Sequence, residues 1–146
     1  MTIRHIVIPD CQIREGDNLD FLTAIGNYIV AKKPDTIVNI GDFADMPSLS
    51  SYDVGKKSFE GRRYTTDVQA TKNAMAALLA PLVEFNRKAK IGHRERYNPR
   101  MELTLGNHEN RINRAVNDDA KLDGVLSIND LAYAEFGWNV HPFLSV

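Results

Sequence analysis

The sequence predicts an α/β fold built on a parallel sheet, and three observations lead to it. A short Ile/Val-rich run, an amphipathic helical stretch and a second β-rich run follow one another at the start of the chain. A third β-rich run comes after a long helical pattern. All three runs end in a tight polar cluster containing Asp, Asn or Gln, as strands do when their carboxyl ends carry a site. Strand–helix–strand order in turn implies a right-handed crossover between parallel strands.

Residues 3–9 (IRHIVIP) are short, branched and closed by Pro-Asp, which reads as a buried strand. Asp17 or Asn18 can cap a helix whose apolar positions Leu22, Ile25 and Ile29 share one face, with Phe21 and Tyr28 beside them. Pro34 stops that helix. Residues 36–40 (TIVNI) give a second strand running into Gly41-Asp42, and a looser stretch over 46–64 follows. Thr66 and Gln69 have capping-box spacing and open a long helix through Val68, Met75, Leu78, Leu82 and Phe85, bent at Pro81. After a basic loop over 87–100, residues 101–105 (MELTL) form a third strand ending in Gly106-Asn107-His108-Glu109. Short helices over 109–117 and 127–136 come next, and 140–146 reads as the start of a fourth strand. No linker or repeat divides the chain, so residues 1–146 are expected to form one domain; an ending on a strand points to part of a larger one.

Composition narrows the function. With 146 residues, 43% of them hydrophobic, and a formal net charge of −1, the chain is long enough for a core and has no global charge to favour nucleic acid or a membrane surface. The longest apolar stretch, 74–83, is far short of the ~20 residues needed to span a bilayer, and Pro81 interrupts it. Arg4 and Asp10 bracket too short an apolar run for a signal peptide. The single cysteine, Cys11, has no disulfide partner in the chain, so a reducing cytoplasm is the expected setting.

Parallel strands would bring Asp10-Cys11-Gln12, Gly41-Asp42-Phe43-Ala44-Asp45 and Gly106-Asn107-His108-Glu109 to one edge. Carboxylate and amide oxygens beside an imidazole are the donors of hard-cation sites. Glycines directly before Asp42 and Asn107 let the backbone turn sharply without a Cβ clash. In these three motifs the sequence resembles the calcineurin-like metallophosphoesterases. The wording of GDFADMPSLSSYD and GNHENR is most similar to members encoded by tailed bacteriophages. The resemblance covers the whole chain but about the first half of that family's domain.

It implies an α/β metallophosphoesterase sandwich, of which this chain supplies a truncated, N-terminal βαβ-rich half. It implies an enzyme that hydrolyses a phosphomonoester or phosphodiester with two divalent metal ions, in the host cytoplasm if phage-encoded. Asp10 would hold the first ion, Asp42 would bridge both, and Asn107 would bind the second. Gln12 stands where the family usually has a histidine, and its harder amide oxygen favours Mn²⁺ or Mg²⁺ over Zn²⁺, with Fe also open. His108 would protonate the leaving oxygen or stabilise the transferring phosphoryl group, and Asp45 would orient it. The family's later histidine ligands are absent. These residues alone are therefore expected to bind one ion at most, weakly.

Arg111 and Arg114 share a helix face, and Arg111 is the candidate to grip a substrate phosphate. The run 86–100 carries six Lys/Arg against one Glu, and Lys56, Lys57, Arg62 and Arg63 form a second basic cluster. These keep a nuclease or nucleic-acid-processing role open as an alternative. A non-catalytic fragment or binding module is the other. His141, the only histidine after His108, reads as structural, and Cys11 as a small filler beside the turn.

Overall fold

The computed structural model describes residues 2–144. Four strands, β1 (His5–Ile8), β2 (Thr36–Asn39), β3 (Arg100–Thr104) and β4 (Asn139–His141), lie side by side in chain order, every neighbouring pair parallel. Helix α1 (Asp20–Lys32) fills the first crossover and α2 (Tyr64–Ile91) the second. Helix α3 (Asn110–Asp118) and short 3-10 turns fill the third. The parallel α/β architecture expected from the strand–helix–strand order is the one the chain adopts.

Side chains alternate across the sheet. Ile8, Ile37 and Leu103 are buried in one core with Leu22 and Ile29 of α1 and Met75 and Leu78 of α2. On the other face Val7 stays 55% exposed. The two helices cross very closely at Gly26. A Cβ there would lie 2.2 Å from the Leu78 carbonyl oxygen and 2.9 Å from the Pro81 ring. Pro81 cannot donate to the carbonyl one turn back, yet α2 runs through it for 28 residues. No helix among the described residues is long and apolar enough to cross a membrane.

Several boundaries differ from the sequence expectation. Helix α2 starts at Tyr64, two residues before Thr66, and Arg63 at its cap makes no side-chain capping bond. The Tyr64 hydroxyl donates to Asp130 Oδ2 at 2.7 Å, a tertiary anchor no local pattern reveals. Gln69 bonds Asn73 instead of closing a box. Helix α2 also takes residues 87–91 from the expected basic loop, pairing Arg87 and Lys88 with Glu84 along its surface. In front of α1, the Asn18 side chain accepts from the Asp20 amide, while Asp17 accepts from Arg14. Lys33 ends that helix in the left-handed region, just before Pro34. The helix expected over 127–136 shrinks to a 3-10 turn, Ile128–Leu131, with a Ser127–Asp130 capping box; Ala132 at φ 58 stops it. The strand expected over 140–146 is found at 139–141 among the described residues, and residues 145 and 146 lie outside them.

His141, on β4, sets its Nε2 2.6 Å from Glu102 Oε2 on β3, and Arg100 contacts the same carboxylate. Those partners, His141 first, hold the Glu102 carboxyl down at about 2.

Two outcomes follow from this packing. Gly26→Ala should lower stability by about 2 kcal/mol in urea denaturation, because steric overlap at the crossing outweighs the ~1 kcal/mol that alanine gains in a helix interior; a stabilised variant would show that the helices part easily. The depressed Glu102 carboxyl stabilises the fold above about pH 4.5, its ordinary value, and that contribution is lost as pH falls through about 2. Glu102→Gln should therefore flatten the acid limb of the stability profile between those values.

Candidate functional site

The parallel order of β1, β2 and β3 puts the loops after them at one edge, and backbone bonds knit those loops together. The amides of Cys11 and Gln12 both donate to the Asp42 carbonyl, at 3.1 and 2.8 Å. Ile13 then pairs with the 43–45 segment through Ile13 N to Phe43 O at 2.9 Å and Asp45 N to Ile13 O at 3.1 Å. From the third loop, the His108 amide donates to Asp42 Oδ1 at 2.9 Å. Asp42 is thus the point where all three loops meet.

The second and third loops are fixed by Glu109, whose side chain is fully buried. Its Oε2 accepts from the amides of Asp42 and Gly106, each at 3.0 Å. Its Oε1 accepts from the amides of Phe43 and Ala44 and from the Tyr133 hydroxyl, at 2.8, 3.1 and 3.1 Å. A lone buried carboxylate is costly, but five donors offset that cost. Burial, and then the Glu109 charge, push the Tyr133 hydroxyl well above its ordinary range, so it stays a donor.

Close approach explains both glycines. A Cβ on Gly106 would lie 2.1 Å from Asp42 Oδ1, and one on Gly41, whose φ is +96°, would lie 2.6 Å from the Gly106 amide. Gln12, Asp42 and Met46 all adopt left-handed backbone, at φ 47, 50 and 53. Three such non-glycine residues in two touching loops hold strain of the kind concentrated at functional sites.

The loop after β2 ends on Asp45, buried at 3% exposure. Its Oδ1 lies 2.7 Å from His108 Nδ1 and its Oδ2 2.6 Å from Arg14 Nε. The Asp45 carbonyl is also 2.9 Å from His108 Nδ1 and accepts from Arg111 Nη1 at 2.8 Å. Two acceptors facing Nδ1 assign the proton to it and leave Nε2 for the cleft that His108 lines. Arg111 thus reaches the site edge while tying α3 to the β2 loop, and Arg114 bonds the Asn107 carbonyl at 3.2 Å.

Asp10, Gln12 and Asn107 are exposed at the tips of their loops and Asp42 is half-buried. Their donors are two carboxylates and two amides, a hard-oxygen set suited to Mn²⁺ or Mg²⁺. Among the described residues, no three His, Cys, Asp or Glu side chains gather into a metal-binding group. An ion here would depend on the amide oxygens. Cys11 does not join them. Burial, then Asp10 and Glu109, raise its thiol to about 11, and its Sγ donates to the Pro9 carbonyl.

The basic run 87–100 leads into the amino end of β3, the edge opposite the site. In the second basic cluster, Lys56 and Arg62 are paired with Asp53. Sequence reasoning missed three residues: Glu109 as a clamp, Tyr133 as its partner and Arg14 on Asp45. Glu109 at least follows His108 directly.

Glu109→Gln should destabilise the chain by about 3 kcal/mol or more, because an amide NH₂ must face buried backbone donors left without an acceptor. A urea midpoint close to that of the unaltered chain would show the clamp to be dispensable.

No family model matches the chain. No solved structure matches it. It is 32% identical to the Gene 54 protein of Mycobacterium phage L5 and 31% identical to the Gene 54 protein of Mycobacterium phage D29, in each case over 111 residues, 76% of this chain. The chain spans 38% of the length of these curated relatives.

Proposed function

We propose that this chain forms the ion-binding part of a divalent-metal-dependent phosphoesterase. One observation carries the reading: a hard-oxygen donor set and an Asp45–His108 pair share one edge of a parallel sheet, joined through Asp42. The cradle made by Gly41 and Gly106, which a single Cβ would fill, supports a position kept clear for Asp42.

Divalent ions bound by Asp10, Gln12, Asp42 and Asn107 would supply Lewis-acid activation of water and neutralise charge on the phosphoryl oxygens. The chain's own groups have distinct tasks. Asp45 holds the Nδ1 proton of His108, so Nε2 is the atom that exchanges a proton with the leaving oxygen. Arg14 pairs with the other oxygen of the Asp45 carboxylate and fixes its orientation. Arg111 offers its unused N–H groups to phosphate oxygens.

A calorimetric Mn²⁺ titration tests the ligand set. The chain should bind one ion weakly, and Asp42→Asn should abolish that binding while leaving the circular dichroism unchanged; unaltered binding would overturn the assignment. In a phosphoesterase assay of the complete parent protein, His108→Asn should lower turnover by about 10²-fold or more for alkyl phosphates and far less for nitrophenyl phosphate, whose leaving group needs no proton. Equal losses on both would remove His108 from the leaving-group role.

A further inference from the structure

The segment between β2 and α2 carries two 3-10 turns, Pro47–Leu49 and Lys57–Phe59, and lies against α3. Two cavities open along it. The first, about 230 Å³, includes Arg14, Arg62, His108 and Arg111 in its walls. The second, about 310 Å³, has Leu49, Val54 and Phe59 as apolar walls, with Arg114 and Asp118 among its polar ones. Ser50, Tyr52 and Arg111 line both, so the two adjoin along one groove.

The compartments differ in chemistry. Three guanidinium groups from three separate segments converge on the first, against the carboxylates of Asp45 and Asp53. Each arginine is positioned by part of its head only. Arg62 spends Nε on Ser58 O and Nη1 on Pro47 O and Asp53, with its guanidinium over the Phe59 ring. Arg111 spends Nη1 on backbone, and Arg14 spends Nε on Asp45. The remaining N–H donors have no hydrogen-bond acceptor among the described residues, and the charge balance is positive. That is a phosphate grip. In the second compartment Tyr52 is 82% and Val54 69% exposed, apolar surface held beside polar groups. A flat ring with polar edges matches such walls, since aromatic side chains stack on any base. The combined groove has the size of ordinary small-ligand sites, ~300–1,000 Å³.

We infer that this groove binds a nucleoside monophosphate, its phosphate among Arg14, Arg62 and Arg111 beside His108 and its base against Tyr52, Val54 and Phe59. The inference rests on the phosphoesterase reading for where a bond would break, but binding itself needs no metal. A sugar phosphate would leave the apolar compartment empty.

Calorimetry in the presence of a chelator separates the two. Adenosine 5′-monophosphate should bind at least tenfold more tightly than ribose 5-phosphate or inorganic phosphate. Tyr52→Ala, at an exposed side chain, should weaken nucleotide binding about tenfold and leave phosphate binding unchanged. Val54→Glu should weaken it as well. Equal affinity for nucleotide and inorganic phosphate, or nucleotide binding indifferent to both variants, would overturn the inference, as would tighter binding of a ten-residue oligothymidylate than of the mononucleotide. Loss of Mn²⁺ binding with nucleotide binding intact would overturn the phosphoesterase reading alone.

Discussion

The buried carboxylate of Glu109 is the constraint on which the rest of the site depends. The residues it holds, 42–44 and 106, would otherwise present unpaired amides inside a dry region, which no small domain tolerates well. By gathering five donors around one anion, the chain fixes two strand-end loops at once. The loop after β1 is then held by the Asp42 carbonyl, and His108 follows because its own amide rests on the Asp42 side chain.

This arrangement separates framework from reactive groups. The framework is mostly backbone: strand-end amides, a carbonyl, and glycines that permit close approach. Asp10, Gln12 and Asn107 project from it at loop tips with little packing of their own. Asp42 belongs to both, because its carbonyl and one carboxylate oxygen are structural while the other carboxylate oxygen accepts no hydrogen bond among the described residues. The left-handed conformations at Gln12 and Asp42 persist because these bonds hold them.

Much of the fold was legible in the sequence because its signals are local. Branched residues at 5–8 and 36–39, the Leu22/Ile29 stripe and the stop at Pro34 each arise within a few positions. The convergence of three polar strand ends followed from parallel topology alone. Gly41 and Gly106 stand out in the sequence by their place before Asp42 and Asn107, though Gly106 is required by contact with Asp42 across 64 residues rather than by its own torsion. What could not be read depends on distant partners. Helix α2 starts at Tyr64 because of Asp130, Asp45 is balanced by Arg14 from another loop, and Tyr133 completes a shell around Glu109. The groove over 46–63 lacks periodicity of either kind, so nothing in that segment announced which side chains would face inward.

The separation in sequence between clamp and clamped loop also sets an order of events during synthesis. Residues 42–44 leave the ribosome 65–67 positions before Glu109 does. At about 5–20 residues per second, β1, α1 and β2 are present for roughly 3–13 s before the carboxylate that organises their loop exists outside the exit tunnel. For that interval the amides of Asp42, Phe43 and Ala44 are left to water, and the left-handed turn at Asp42 lacks its contacts with the third loop. The site can therefore close only after Glu109 has left the exit tunnel, however early the strands before it are made.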